Sequence, residues 1–316
     1  ISGGSTHELA IDDIEEAYNI TVEVQKKYKL NYRPHVHIDS VLGWAGLFFN
    51  DYDFKSNPLK FSDKTLKAIK IWNKKISKIK WADSIGIDFH KTGFCPYVSS
   101  LFLVKDRGKF FGLGPKKITD FDKLEHGKYA AFENSIEMSR SGVGPLAALA
   151  ALKHLGIEGF QRKLGTLLEA AIYMKEKFAH SKEFMVLAAN PYWIPVFVSI
   201  RPDWSPNLTV TGLEKLSLKQ LNELKILNSD FANWVKEMNM EGKCPFIFTA
   251  SSVYKVPKMN VGIGSLKIYP MSSHFDKKYV DIFMEQLTNA LKIYKKASRV
   301  LNEEENAALD PVYRTV

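Results

Sequence analysis

One short stretch constrains this chain more than any other: Trp81-Ala-Asp-Ser-Ile-Gly-Ile-Asp-Phe-His-Lys-Thr-Gly-Phe-Cys-Pro-Tyr97. Ser84 to Asp88 has the apolar character of a buried strand, and Gly93 turns the chain just after His90 and Lys91, so a sheet strand ends on a lysine. Open α/β sheets hold ligands at the ends of their strands. Among apolar residues the ammonium form of a lysine is disfavoured, and the neutral amine can condense with an aldehyde to form a Schiff base. On spacing alone, an ordinary surface lysine following a strand satisfies the same pattern, because lysine is mostly exposed.

The surrounding segments alternate helix and strand. Asp12 to Lys29 carries Ile14, Ala17, Tyr18, Val22, Val24 and Tyr28 at roughly helical spacing, with Asp12 and Asp13 placed to cap it. Arg33-Pro34 breaks that helix, and Val36 to Asp39 reads as a short strand, which gives the helix-then-strand step of a parallel sheet. Gly46 to Phe54 is rich in aromatics and suits either core packing or a pocket wall. Leu66, Ile69, Trp72, Ile76 and Ile79 form one apolar helical stripe, with Lys67, Lys70, Lys74 and Lys78 opposite as a solvated face. Ser99 to Lys105 returns as a strand. Residues 106 to 137 lack a clear period, which marks a functional loop.

Ser139-Arg-Ser-Gly-Val-Gly-Pro145 then opens a helix from Leu146 to Leu155, where Pro145 in the first turn and the amides near Ser141 and Gly142 make an anion site. A second helix covers Phe160 to His180. Beyond Phe184, strands at Val196 to Ile200, Phe246 to Ala250 and Ser265 to Tyr269 alternate with helices at Leu218 to Met238 and Lys277 to Leu301, the texture of a small α+β domain with an antiparallel sheet.

Composition narrows the class. At 316 residues and 45% hydrophobic content, two domains are favoured over one. Two cysteines give no disulfide framework, and there is neither a transmembrane run nor a signal-peptide layout, so the expectation is a cytoplasmic protein without a membrane partner. The net charge of +9 comes mainly from lysines spread along helices, which argues against nucleic acid. No metal-ligand cluster stands out.

The central stretch carries a resemblance. Asp-Phe-His-Lys-Thr-Gly-Phe, preceded by Ala82-Asp83-Ser84 and followed by Pro96-Tyr97, resembles the cofactor-lysine signature of the pyridoxal-phosphate-dependent group II amino-acid decarboxylases. Gly4-Ser-Thr-His-Glu-Leu-Ala-Ile-Asp12, His37-Ile-Asp-Ser-Val-Leu-Gly43 and Met138-Ser-Arg-Ser-Gly142 resemble further motifs of that family, in its order along the chain. The resemblance covers residues 1 to about 175 well and the remainder more loosely. It implies an α/β fold of the type I pyridoxal-phosphate class: the second half of the large, mainly parallel-sheet domain over residues 1–178, and a small C-terminal α+β domain over 179–316.

It also implies roles. Lys91 would form the Schiff base with pyridoxal 5'-phosphate, Asp39 would pair with the pyridine nitrogen and Val41 would pack on the ring face. His90, Ser5, Thr6, Ser141 and Gly142 would hold the cofactor, Arg140 the substrate, and Tyr129 would donate a proton from the loop of a neighbouring subunit. The implied activity is decarboxylation of an L-amino acid, aromatic or acidic, by a homodimer with shared active sites. A carbon–carbon lyase of the sphingosine-phosphate lyase type shares the same residues. A truncated, non-catalytic relative is the third reading, because the chain opens without a methionine, on a turn that would normally follow a strand, and Leu9 replaces the usual glycine. Activity would then need an N-terminal segment or chain that precedes residue 1.

Overall fold

The computed structural model of the chain describes residues 1–4, 10–106, 141–187, 192, 194–251, 254–256, 259, 261–272 and 274–309. They fall into two compact units, Ile1–Gly165 and Thr166–Val316. The division between these compact units falls inside a helix.

In the first unit α1 spans Ile14–Lys27, starting where Asp13 accepts a hydrogen bond from the Glu16 amide. Glu15 and Glu16 in its first turn and Lys26 and Lys27 in its last complement the helix dipole. The chain then enters β1, His37–Asp39, which pairs in parallel with β2, Ser84–Asp88, in the register Ile38 to Ile85 and Asp39 to Gly86. Asp83 fixes the start of both strands: it takes an ion pair from Arg33, and its Oδ2 accepts from the Val36 amide at 2.8 Å. Burial raises the Asp83 carboxyl, but the Arg33 guanidinium and the Val36 amide outweigh it and hold the group below its ordinary value.

Between these strands lie a 3-10 turn, Gly43–Phe49, and α2, Asp63–Ile76, capped by Ser62. Ala68, Ile69, Trp72 and Ile76 of α2 are fully buried, and Trp72 Nε1 donates to Gly43 O at 2.8 Å. Of the aromatics at 44–54, Trp44, Phe49 and Tyr52 are buried in this core, while Phe48 and Phe54 are half-buried. Lys67, Lys70 and Lys74 are exposed as expected, whereas Lys78 is half-buried and reaches Asp13 and Glu15 at 3.2 Å each.

After β2 the chain makes α3, the single turn Phe89–Thr92, and returns as β3, Ser100–Val104, antiparallel to β2. So short a connection between neighbouring strands forces an antiparallel return. The described sheet, in the order β1-β2-β3, therefore holds one parallel and one antiparallel pair, with a parallel bridge from Ser2 to Asp39 on its other side.

Helix α4 runs Val143–Ala179 as one element where two were expected, but Gly156, at φ 59°, breaks its regular backbone between those two segments. The second unit carries an antiparallel sheet of β4, Phe184–Val186, β5, Val196–Ile200, β6, Thr249–Ser251, and β7, Ser265–Ile268, in the order β4-β5-β7-β6. Helices α5, Leu218–Met240, and α6, Lys277–Leu309, complete it. Its core joins Met174 and Phe178 of α4 to Val196, Val198 and Ile200 of β5, Phe231 of α5 and Leu287 of α6. The sequence reading missed β4, a three-residue strand, and placed β6 some residues too early.

Candidate active site

The chemistry-bearing residues collect where the two parallel strands of the first unit end. Side chains alternate along a strand and register partners share a face. His37 and Asp39 of β1, Ser84, Gly86 and Asp88 of β2, and Ser100 and Phe102 of β3 thus stand on one side of the sheet. Contacts agree: His37 Nδ1 lies 2.8 Å from Ser84 Oγ, the His37 and Phe102 rings are 5.8 Å apart, and Ser100 Oγ donates to Asp88 Oδ1 at 2.6 Å.

Lys91 is on the single turn α3, directly beyond β2. Its side chain is only 13% exposed, and Nζ donates to Asp88 Oδ2 at 2.5 Å across an i,i+3 step. The ordinary surface lysine is thereby excluded: this lysine is drawn inward at a strand end. Asp39, at the end of β1, is exposed, and its Oδ1 accepts from the Val41 amide at 3.3 Å. Between these two strand ends the floor is Gly86, where an added Cβ would meet only His37 Cε1, at 4.0 Å. The missing side chain leaves this part of the sheet face uncovered.

His90 stands beside Lys91 on the same turn. It is buried and its ring packs on Tyr97 at 4.1 Å. His90 Nδ1 lies 3.0 Å from the Ser99 carbonyl oxygen and 3.2 Å from the Ser99 amide nitrogen, and Nε2 faces Asp88 Oδ2 at 3.4 Å. Ser99 in turn donates through Oγ to Gly144 O at 2.9 Å. At Gly144 a Cβ would lie 2.6 Å from Val98 O, so the start of α4 can approach this loop only as glycine. The lysine turn and the amino end of α4 are thereby fastened together within one chain. Ser141 and Gly142 sit at that end, exposed, with Ser141 Oγ accepting from the Val143 amide at 3.2 Å. Val41 is half-buried just past β1. Ser5, Thr6, Tyr129 and Arg140 lie outside the described residues.

Sequence reading passed over Asp88, Ser99, Ser100 and Trp44, whose Nε1 donates to Asp88 O at 3.2 Å. A carboxylate three residues before a lysine, across a helical turn, was the available signal for Asp88.

A strand-end lysine, a carboxylate on the neighbouring parallel strand and a glycine thus stand on one sheet of an α/β chain. The L-tyrosine/L-aspartate decarboxylase of Methanocaldococcus jannaschii is 28% identical over 176 residues, 55% of this chain and 37% of its own length. Mouse CSAD is similar in structure with a TM-score of 0.62 at 16% identity, covering 92% of this chain and 50% of that one. The glutamate decarboxylase of Lactobacillus brevis gives 0.57 at 15% identity, over 92% of this chain and 54% of its own. No family model matches. The chain is similar to these amino-acid decarboxylases, and it spans between 37% and 54% of the length of these three.

Proposed function

We propose that this chain carries the lysine-bearing part of a pyridoxal-phosphate-dependent amino-acid decarboxylase. The observation that carries this reading is the inward-drawn Lys91 at the end of β2, one strand away from Asp39 at the end of parallel β1, with the open floor of Gly86 between them. The residues fit the group. Lys91 Nζ is the amine for its aldehyde, the exposed carboxylate of Asp39 suits its ring nitrogen, and the amino end of α4 near Ser141 and Gly142 is a donor set for its phosphate. When bound, the cofactor supplies an electron sink for the pair left at the substrate's Cα as carbon dioxide departs.

This chain's own residues hold and orient. Asp39 keeps a proton on the ring nitrogen by placing a negative charge beside it. His90, held by Ser99 and facing Asp88, stands beside the lysine and would contribute to holding the cofactor. Among the described residues no helix is long and apolar enough to cross a membrane. We take the substrate to be an L-amino acid, aromatic or acidic. A homodimer sharing its sites is supported by the exposed apolar run Val143, Leu146 and Leu149 at the start of α4, which a folded protein covers with another surface. The division into a large domain to residue 178 and a small one beyond it, and a cytoplasmic location, complete this reading.

The test is borohydride reduction of the full-length protein with pyridoxal phosphate, followed by peptide mass spectrometry. The pyridoxyl label should sit on Lys91, and the Asp39→Asn protein should still take that label while losing most of its carbon dioxide release. A label on another lysine refutes the assignment.

A further inference from the structure

Asp88 holds Lys91 in a way the signature alone does not reveal. Its carboxylate is nearly buried, at 12% side-chain exposure, and each oxygen is engaged. Oδ1 accepts from Ser100 Oγ at 2.6 Å, across the β2–β3 pair in which Asp88 and Ser100 are register partners. Oδ2 takes Lys91 Nζ at 2.5 Å and faces His90 Nε2 at 3.4 Å. The Asp88 carbonyl receives Trp44 Nε1, so the backbone at this residue is pinned as well. A carboxylate fixed from three sides is a rigid seat, while the lysine stem is the flexible partner.

We propose that Asp88 is the positioning residue for Lys91: it seats Nζ at the strand end whenever that amine is not in covalent use. Two consequences follow from the geometry. The four-carbon stem has many rotamers, and the seat selects those that keep Nζ over the Gly86 floor. The seat also shields Nζ, which donates to Asp88 Oδ2 on a side chain only 13% exposed, so Lys91 meets a passing reagent less readily than an open lysine does. The inference rests on Lys91 being the cofactor lysine, but its test does not use the cofactor.

Full-length protein freed of carbonyl compounds is trace-labelled with acetic anhydride at fixed pH, digested, and the Lys91 peptide quantified against Lys74, an exposed lysine of α2. Asp88→Asn keeps the size and an acceptor oxygen but removes the charge, and should raise Lys91 labelling at least fivefold. Asp88→Glu should bring it back toward wild type, which a purely structural role does not predict. Ser100→Ala frees Oδ1 and should give an intermediate rise. Lys75, whose Nζ donates to Ile11 O at 3.1 Å, monitors folding: a variant that raises Lys75 labelling equally has opened, and the comparison is then read from Ser100→Ala. Unchanged Lys91 labelling in Asp88→Asn with Lys75 steady overturns the seat, as does unchanged labelling in a folded Ser100→Ala. If Asp88→Asn behaves as expected while pyridoxyl is found on another lysine, the seat stands and only the cofactor assignment falls.

Discussion

Replacing Gly43 by alanine should loosen the strand that carries Asp39. A Cβ there would lie 1.9 Å from the Gly3 carbonyl oxygen and 3.2 Å from Gly4 Cα. Both are backbone atoms, so no rotamer change relieves the overlap and residues 1–4 must move away. Those residues are held by Gly3 N to Asp39 O at 2.6 Å, Asp39 N to Ile1 O at 3.1 Å, Leu42 N to Gly4 O at 3.1 Å and Ser40 Oγ to Gly3 O at 2.7 Å. Losing three or four such bonds at roughly 1 kcal/mol each costs about 3–4 kcal/mol. The better helix propensity of alanine in the 3-10 turn returns at most about 1 kcal/mol, leaving a net loss of about 2–3 kcal/mol. A chain of two compact units need not unfold in one step, so the measurement must be local. Native-state hydrogen exchange at the Asp39 and Leu42 amides should accelerate roughly 30- to 150-fold. Gly142→Ala, where an added Cβ meets nothing within 4 Å, is the stability control. Exchange at both amides within about threefold of wild type would refute the reasoning.

Two further expectations concern charge. Asp83→Asn strands Arg33 and should cost roughly 2 kcal/mol by urea denaturation of the first unit. Because the folded Asp83 carboxyl titrates below its ordinary 3.8, its stabilisation is present above that value and is lost as pH falls through the depressed one, so the variant should show a weaker acid dependence than wild type. In the second unit, burial pushes the Lys175 ammonium down from 10.5 to about 7. The unfolded chain then binds the extra proton between pH 7 and 10.5, so stability should rise with pH across that window, and Lys175→Met should flatten thermal melts recorded there.

The sequence made β2 legible residue for residue, because a short apolar run bounded by Asp83 and a His-Lys pair has one compatible reading. It made the α2 stripe legible through Ile69, Trp72 and Ile76, whose spacing matches a helical period. Local pattern could not show that Lys91 folds back onto Asp88, since that depends on one helical turn after the strand. Nor could it show that Ser99 links His90 to Gly144, a contact across 45 residues that only tertiary packing brings about. The motif glycine Gly43 was visible as a letter, but its reason, the carbonyl of Gly3 pressed against it, comes from a bridge between chain segments.

Strand β3 has a consequence for how the purified chain behaves in solution. Leu101, Phe102 and Leu103 are 40%, 46% and 47% exposed, on both faces of a strand that pairs with β2 alone among the described residues. Its outer row of amides and carbonyls is a template onto which another strand can be laid. What keeps two chains apart is the net charge of +9, and that repulsion reaches only about 8 Å at physiological salt. Colloidal stability is therefore a contest between a long-range field and a short-range seam. Adding salt weakens the first and leaves the second intact, so association through this edge should increase with ionic strength.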